Sequence, residues 1–433
     1  MAMNTKQCNI TIVFNNVKIC SGHCSFCTCA NELNYGQPNA SAISDIKHIN
    51  DTLNNMIKWD YDALEQAIVN YPGFEDSNRI GFSVWGGDPL TSFDQYVELY
   101  EFCTDICKRH NKTASFGGST NGLAFMVPEW RDWFANHSNN IRMQLSHDGV
   151  GNWMRTKVDT IKLAEPLMET GMINWISCVM NFYNPSPFQN IEFFEEHIPQ
   201  KIYKNIQARL YTVRDAYYDA AALNTDGWFM NKQYDQLKNT KIGDMVIRND
   251  QELSNKYRIF NMAHAADIYF DEVEQIYKDI DNSRYDQYRN VLIQRLAYNR
   301  RKAVNGDILH MNRPWCAQYH TGLRYNSNCI DTLGKYTPCH LYDSDTAIPN
   351  PKLEKPARCN DCPYKDNWEC NVCGSFYLNP NYCQWSYRFN QQMQRLIKQS
   401  RWLNDWIRAY NNNNRGNLNH IDRRLVHATS QSR

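Results

Sequence analysis

The sequence predicts an α/β protein built from repeated strand–helix units around a parallel sheet, followed by a helical segment and a small cysteine-rich unit. Three observations carry this. Short β-branched or aromatic runs alternate with helix-period stretches through the first half of the chain. Glycine-rich and polar motifs recur at the C-terminal ends of those runs. Eight of the sixteen cysteines gather between Cys316 and Cys383.

The elements read in order as follows. Ile10 to Phe14 is an apolar strand ending just before the first cysteines. Tyr61 to Tyr71 reads as a helix. Arg79 to Trp85 is a strand running into Gly86-Gly87-Asp88-Pro89. Tyr96, Leu99, Tyr100, Cys103 and Cys107 recur at helical spacing, which places both cysteines on an apolar helix face as core residues. Ala114 to Gly118 is a short strand before Ser119-Thr120-Asn121-Gly122. Pro128 to Asn136 is helical, and Ile141 to Leu145 is a strand ending in Ser146-His147-Asp148-Gly149. Lys157 to Thr170, Trp175 to Met180, Asn190 to His197 and Gln207 to Val213 continue as helix, strand, helix and strand. Repeated βα units imply a parallel sheet with right-handed crossovers. In such folds the loops at the C-terminal rim of the strands build the site.

Composition bounds the function. The chain has 433 residues, enough for about three units at ~150 residues each. The 46 basic and 46 acidic residues cancel, so no global charge draws the chain to nucleic acid or an anionic membrane. The segment Met1 to Asn9 is polar and has no apolar signal core, and no run of ~18 apolar residues is present. A cytoplasmic protein with no membrane span is expected. In a reducing compartment many cysteines point to metal ligation over disulfides.

Cys20-Ser-Gly-His-Cys24-Ser-Phe-Cys27 follows the first strand. A cubane iron–sulfur cluster is normally held by four thiolates. Three close cysteines can hold three irons and leave the fourth open to chelate a ligand's amino and carboxylate groups. Gly22 is expected to let the loop turn tightly around such a cluster. The alternative is a zinc site, although zinc sites usually pair two CxxC knuckles. Cys29 lies close by as a bystander.

These residues resemble the signature of the radical S-adenosylmethionine (SAM) superfamily, CxxxCx-aromatic-C, with Phe26 in the aromatic position. Gly86-Gly87-Asp88-Pro89 resembles the family's GGEP motif, with Asp88 for Glu. Ser119 and Asn121 resemble the family's SAM-contacting serine and asparagine. Ser146 and Asp148 resemble its Ser-x-Asp-Gly. Singly each motif reads as an ordinary turn. The resemblance covers about Asn9 to Arg214 and implies a partial (β/α)6 TIM-like barrel. It also implies a [4Fe-4S] cluster on Cys20, Cys24 and Cys27, and SAM held by Phe26, Gly86, Gly87, Asp88, Ser119, Asn121, Ser146 and Asp148.

By spacing alone, Cys359-x2-Cys362-x7-Cys370-x2-Cys373 could be a zinc ribbon. After such a barrel, the eight cysteines resemble the SPASM extension, Gly334 standing five residues before Cys339. The family's crossed ligation implies two auxiliary [4Fe-4S] clusters. One would sit on Cys316, Cys329, Cys339 and Cys373, the other on Cys359, Cys362, Cys370 and Cys383. Spacings of x7 and x2, where the family has x5 and x3, leave the division of Cys370 and Cys373 open. His340 stands where sulfatase-maturating members carry an Asp base, a departure from that branch.

The expected organisation is a barrel over 1–214, a helical segment over 215–313, an auxiliary-cluster unit over 314–384 and a C-terminal amphipathic helix with a polar, basic tail over 385–433. The resemblance implies an enzyme that cleaves SAM reductively to a 5′-deoxyadenosyl radical and takes a hydrogen atom from its substrate. An electron donor of flavodoxin or ferredoxin type would serve it. A peptide or protein side chain, oxidised or crosslinked, is the expected substrate. A small molecule, sugar or nucleoside is the alternative, and a non-catalytic zinc- or cluster-binding interaction protein is the third reading.

Overall fold

Six strands lie parallel in the order in which they occur along the chain. They are β1 (Gln7–Val13), β2 (Arg79–Trp85), β3 (Thr113–Thr120), β4 (Ile141–Ser146), β5 (Ile173–Met180) and β6 (Gln207–Thr212). The computed structural model describes residues 7–14, 20–22, 40–180, 184–203, 205–212, 262–279, 282–285, 288, 329–337, 361 and 395. Helices fill the crossovers: α1 (Ile43–Met56) and α2 (Tyr61–Val69), then α3 (Phe93–Arg109), α4 (Pro128–Asn136), α5 (Thr160–Glu169), α6 (Pro187–His197) and α7 (Gln200–Tyr203). Strand β2 and helix α4 match the sequence reading to the residue, and α1 is an addition to it.

The two faces of the sheet differ in kind. Ile10 and Ile12 of β1, Ile80, Phe82 and Val84 of β2, Met143 and Leu145 of β4, and Ile176 of β5 are buried in the main apolar core. The alternate residues Gly81, Ser83, Trp85, Gly117, Ser119, Gln144 and Trp175 are only partly covered. A doubly wound sheet has helices on both faces and near-continuous apolar strands. Here one face is apolar and the other polar, and each strand pairs with its predecessor. That is the pattern of a sheet curling toward a barrel with helices outside, the expected partial (β/α)6 architecture. Cys103, Cys107 and Cys178 are all buried, as core residues.

The sheet does not stop at β1. A short strand from the cysteine-rich part of the chain, β7 (Cys329–Asp331), pairs parallel with β1, Val13 lying beside Asp331. It turns back antiparallel into β8 (Tyr336–Thr337). The turn docks on the start of α2: Thr332 Oγ1 donates to the Lys58 carbonyl at 2.6 Å, and the Asp60 amide donates to the Thr332 carbonyl at 3.0 Å. The barrel sheet and the cysteine-rich unit therefore share hydrogen bonds.

Within the expected helical segment, α8 (Met262–Lys278) packs against α6. Its Glu272 accepts from Ser186 Oγ at 2.7 Å and from the Phe188 amide at 2.8 Å, at the N-terminus of α6. Burial pushes that carboxyl up, and those two bonds oppose the shift. Arg395, from the expected C-terminal helix, reaches Glu274 of α8 at 3.1 Å. The rest of the C-terminal part, and the expected boundaries at 214, 313 and 384, fall outside the described residues.

Candidate functional site

The loops after β1 to β5 meet at the C-terminal edge of the sheet. Strand β2 ends in Gly86 and Gly87, whose φ angles of 131° and 58° lie in the left-handed region that favours glycine. This turn brings Asp88 under the loop after β3. Its carboxylate accepts from the Asn121 amide at 2.6 Å, from Thr120 Oγ1 at 3.0 Å and from the Leu90 amide at 3.1 Å. Asp88 is buried, and burial pushes its carboxyl up to about 6 against the pull of those donors and of the Arg155 charge. This acid thus ties the ends of β2 and β3 together.

Asn121 spans from this tie to the cysteine loop. Its side-chain Nδ2 donates to Ser21 Oγ at 3.0 Å and lies 3.7 Å from Cys20 Sγ, while its Oδ1 accepts from the Leu123 amide at 2.9 Å. Ser21 Oγ is 2.7 Å from Thr91 Oγ1 on the β2 loop. Gly22 earns its place by close approach: a Cβ there would lie 2.8 Å from Asn121 Nδ2 and 3.4 Å from the Arg155 carbonyl. Its φ does not lie in the left-handed region, so steric fit replaces the expected turn freedom as the reason for glycine.

After β4 a second buried cluster forms. Asp148 is fully buried and accepts from Arg155 Nη2 at 2.9 Å, Arg155 Nε at 3.1 Å and the Val179 amide of β5 at 2.9 Å. Burial pushes the carboxyl up, while Arg155 and Val179 pull it down. Asn184 Nδ2 donates to the Asp148 carbonyl at 2.6 Å, closing the loop after β5 onto the loop after β4. His147 is buried and held neutral: burial first, then the Arg155 charge, push it down to about 3. Its Nδ1 accepts from the Gly149 amide at 3.1 Å. Ser146 is partly exposed at the end of β4, in register with Ser177.

The structure thus brings Cys20, Gly86, Gly87, Asp88, Ser119, Asn121, Ser146 and Asp148 to one edge of the sheet. Cys24, Phe26 and Cys27 lie outside the described residues. So do Cys316, Cys339, Cys359, Cys362, Cys370, Cys373 and Cys383. Cys329 lies in β7, buried, and burial pushes its thiol up to about 12 against a hydrogen bond with Thr337. Sequence reasoning missed Thr91, Thr120, Arg155 and Asn184. Arg155 stands seven residues beyond Asp148, and no local spacing rule flags that distance.

Cys20 suits a ligand to a cluster by its place. Its thiol is partly exposed at the strand-end edge and lies near an amide donor that can face a sulfur. The class that fold and site define is an α/β partial barrel with its site on the C-terminal strand rim. No family model matches the sequence, and no curated protein matches it. The chain is similar to a solved structure of native anSMEcpe with bound AdoMet, at a TM-score of 0.49 and 15% identity over 90% of this chain and 98% of that one. A structure of the same protein with bound AdoMet and Kp18Cys peptide gives a TM-score of 0.49 and 14% identity over 91% and 99%. Likenesses this loose carry no function across, and the fold stands on the strand order and register above.

Proposed function

We propose that this chain is a radical SAM enzyme with a SPASM-type auxiliary unit. The observation that carries the reading is the position of Cys20. The first cysteine of a Cys-x3-Cys-x2-Cys triple sits at the strand-end rim, tied through Asn121 and Ser21 to the loops after β2 and β3. Those loops hold the Gly-Gly-Asp-Pro and Ser-Thr-Asn motifs. Cys20, Cys24 and Cys27 would hold a [4Fe-4S] cluster. When bound, the cluster and SAM supply one-electron cleavage of the sulfonium and a 5′-deoxyadenosyl radical that takes a substrate hydrogen.

The chain's own work is placement. Asp88 and Asn121 fix the cysteine loop against β2 and β3. Asp148 and Arg155 fix β4 against β5. The polar inner face, with Ser83, Ser119 and Ser177, offers hydroxyl groups to a bound ligand. The eight cysteines from Cys316 to Cys383 would hold two auxiliary clusters that carry away the electron left on the substrate. A flavodoxin- or ferredoxin-like donor would supply the first electron. The substrate reading is a peptide or protein side chain, oxidised or crosslinked, on the strength of the SPASM resemblance.

The test is a reconstituted, anaerobic enzyme with SAM and reductant. Wild type is expected to form 5′-deoxyadenosine and to hold about twelve irons, four per cubane. Changing Cys20, Cys24 and Cys27 together to Ala should abolish 5′-deoxyadenosine and leave about eight irons. Tightly bound zinc with no visible absorption would replace this reading with the interaction protein.

A further inference from the structure

The register of the sheet places Ser119 of β3, Gln144 of β4 and Trp175 of β5 side by side on the polar inner face. They form a directed chain of hydrogen bonds. Trp175 Nε1 donates to Gln144 Oε1 at 2.8 Å, and Gln144 Nε2 donates to Ser119 Oγ at 3.0 Å. The direction does not depend on how the amide is drawn. An indole N–H can only donate, so the amide atom facing it must be the oxygen. The amide nitrogen then faces Ser119, whose oxygen must accept. Among the described residues the Ser119 proton has no acceptor, and the residue is partly exposed on the inner face two positions before Asn121.

We propose that Trp175 and Gln144 are positioning residues that force Ser119 to act as a hydrogen-bond donor toward an oxygen of bound SAM. This rests on the SAM reading above. A lone serine hydroxyl can turn to donate or accept. Held by Gln144, it presents its proton to the open face and selects an acceptor such as a carboxylate or hydroxyl oxygen. The four strand-end motifs do not contain Gln144 or Trp175. They enter because the register stacks three neighbouring strands.

The test measures SAM affinity by anaerobic equilibrium dialysis on the reconstituted full chain, with iron content and far-ultraviolet circular dichroism as checks on folding. Ser119→Ala removes the donor and should weaken binding about tenfold. Gln144→Glu keeps the shape but reverses the chain. The introduced carboxylate accepts from both Trp175 and Ser119, so the serine proton turns away from the ligand. It should weaken binding by a similar factor, and in the Ser119→Ala background it should add nothing. Trp175→Phe frees the amide to flip and should fall between wild type and Gln144→Glu.

A wild type that binds no SAM sinks the underlying function. A wild type that binds, with Gln144→Glu unchanged, sinks the relay alone. Losses that add in the double variant also overturn it, because Gln144 would then meet the ligand on its own account.

Discussion

Replacing Arg155 with Met should destabilise the fold by an amount that depends on pH in a calculable way. The Asp148 side chain is 0% exposed and the Arg155 side chain 10% exposed, and they meet through two hydrogen bonds. Removing one partner of such a buried pair costs about 3–5 kcal/mol, since the other charge is left without its counterpart. The orphaned carboxylate has an escape, which is to take up a proton. Starting from the ordinary Asp value of about 3.9, that costs about 1.4 kcal/mol per pH unit. The cap is therefore about 5 kcal/mol at pH 7.5 and about 2 kcal/mol at pH 5.5. The variant raises the folded-state value of Asp148, so stability is present at low pH and is lost as pH rises. Urea midpoints of the full chain at the two pH values measure this, with Arg155→Met/Asp148→Asn as the control that removes both charges. The double variant should lose most of the pH dependence. An equal loss at both pH values for Arg155→Met would refute an ionised pair at this position.

Two further outcomes follow from the rim geometry. Gly22→Ala should push the Asn121 amide off Ser21 and Cys20, because its new Cβ would sit 2.8 Å from Nδ2. On the proposed radical SAM reading, we expect less iron bound at the Cys20 loop and an unchanged electron paramagnetic resonance signal from the proposed auxiliary clusters, and normal loading would reject that contact. Asp88→Ala strands the buried Asn121 and Leu90 amides and should cost roughly 2–4 kcal/mol. Asp88 sits at about 6 in the fold, above its unfolded value. The stability it contributes is therefore full below the unfolded value and is lost as pH rises through about 6. The gap between wild type and Asp88→Ala should be roughly 1 kcal/mol wider at pH 5 than at pH 8. A gap that narrows toward acid would place the carboxyl below its ordinary range.

Much of this was legible because local signals and the global fold agree. Strand β2 alternates Ile80, Phe82 and Val84 with smaller or polar residues, and the helix-covered side is the apolar one. Helix α4 begins at Pro128, which is suited to a first helical turn. Helix α1 escaped the reading because only Ile43, Ile46, Ile49, Leu53 and Met56 are apolar along a polar stretch. That periodic face was present but weak. Strand β7 has three residues, and its place beside β1 is a pairing across more than 300 positions that no window can see. The rim motifs were visible one by one. What each holds was not, because Asp88 meets Asn121 and Asp148 meets Val179 only once parallel strands are stacked in register.

The same stacking explains how one sheet serves two purposes. A residue on a strand belongs to one face, and its neighbours belong to the other. Along β4, Ile141, Met143 and Leu145 are committed to the core, while Gln144 and Ser146 stand on the partly open side. Stability is thus written in the alternate positions the helices cover, and, on the proposed reading, ligand chemistry in those between. Asp148 is the exception, since it lies past the strand end where alternation no longer applies. Its carboxylate is fully buried and taken by Arg155 and Val179. An acid so placed shapes a site through the strands it joins. The acids on this rim act as struts, Gln144 acts through Ser119, and the inner-face serines remain as the groups that can answer a ligand.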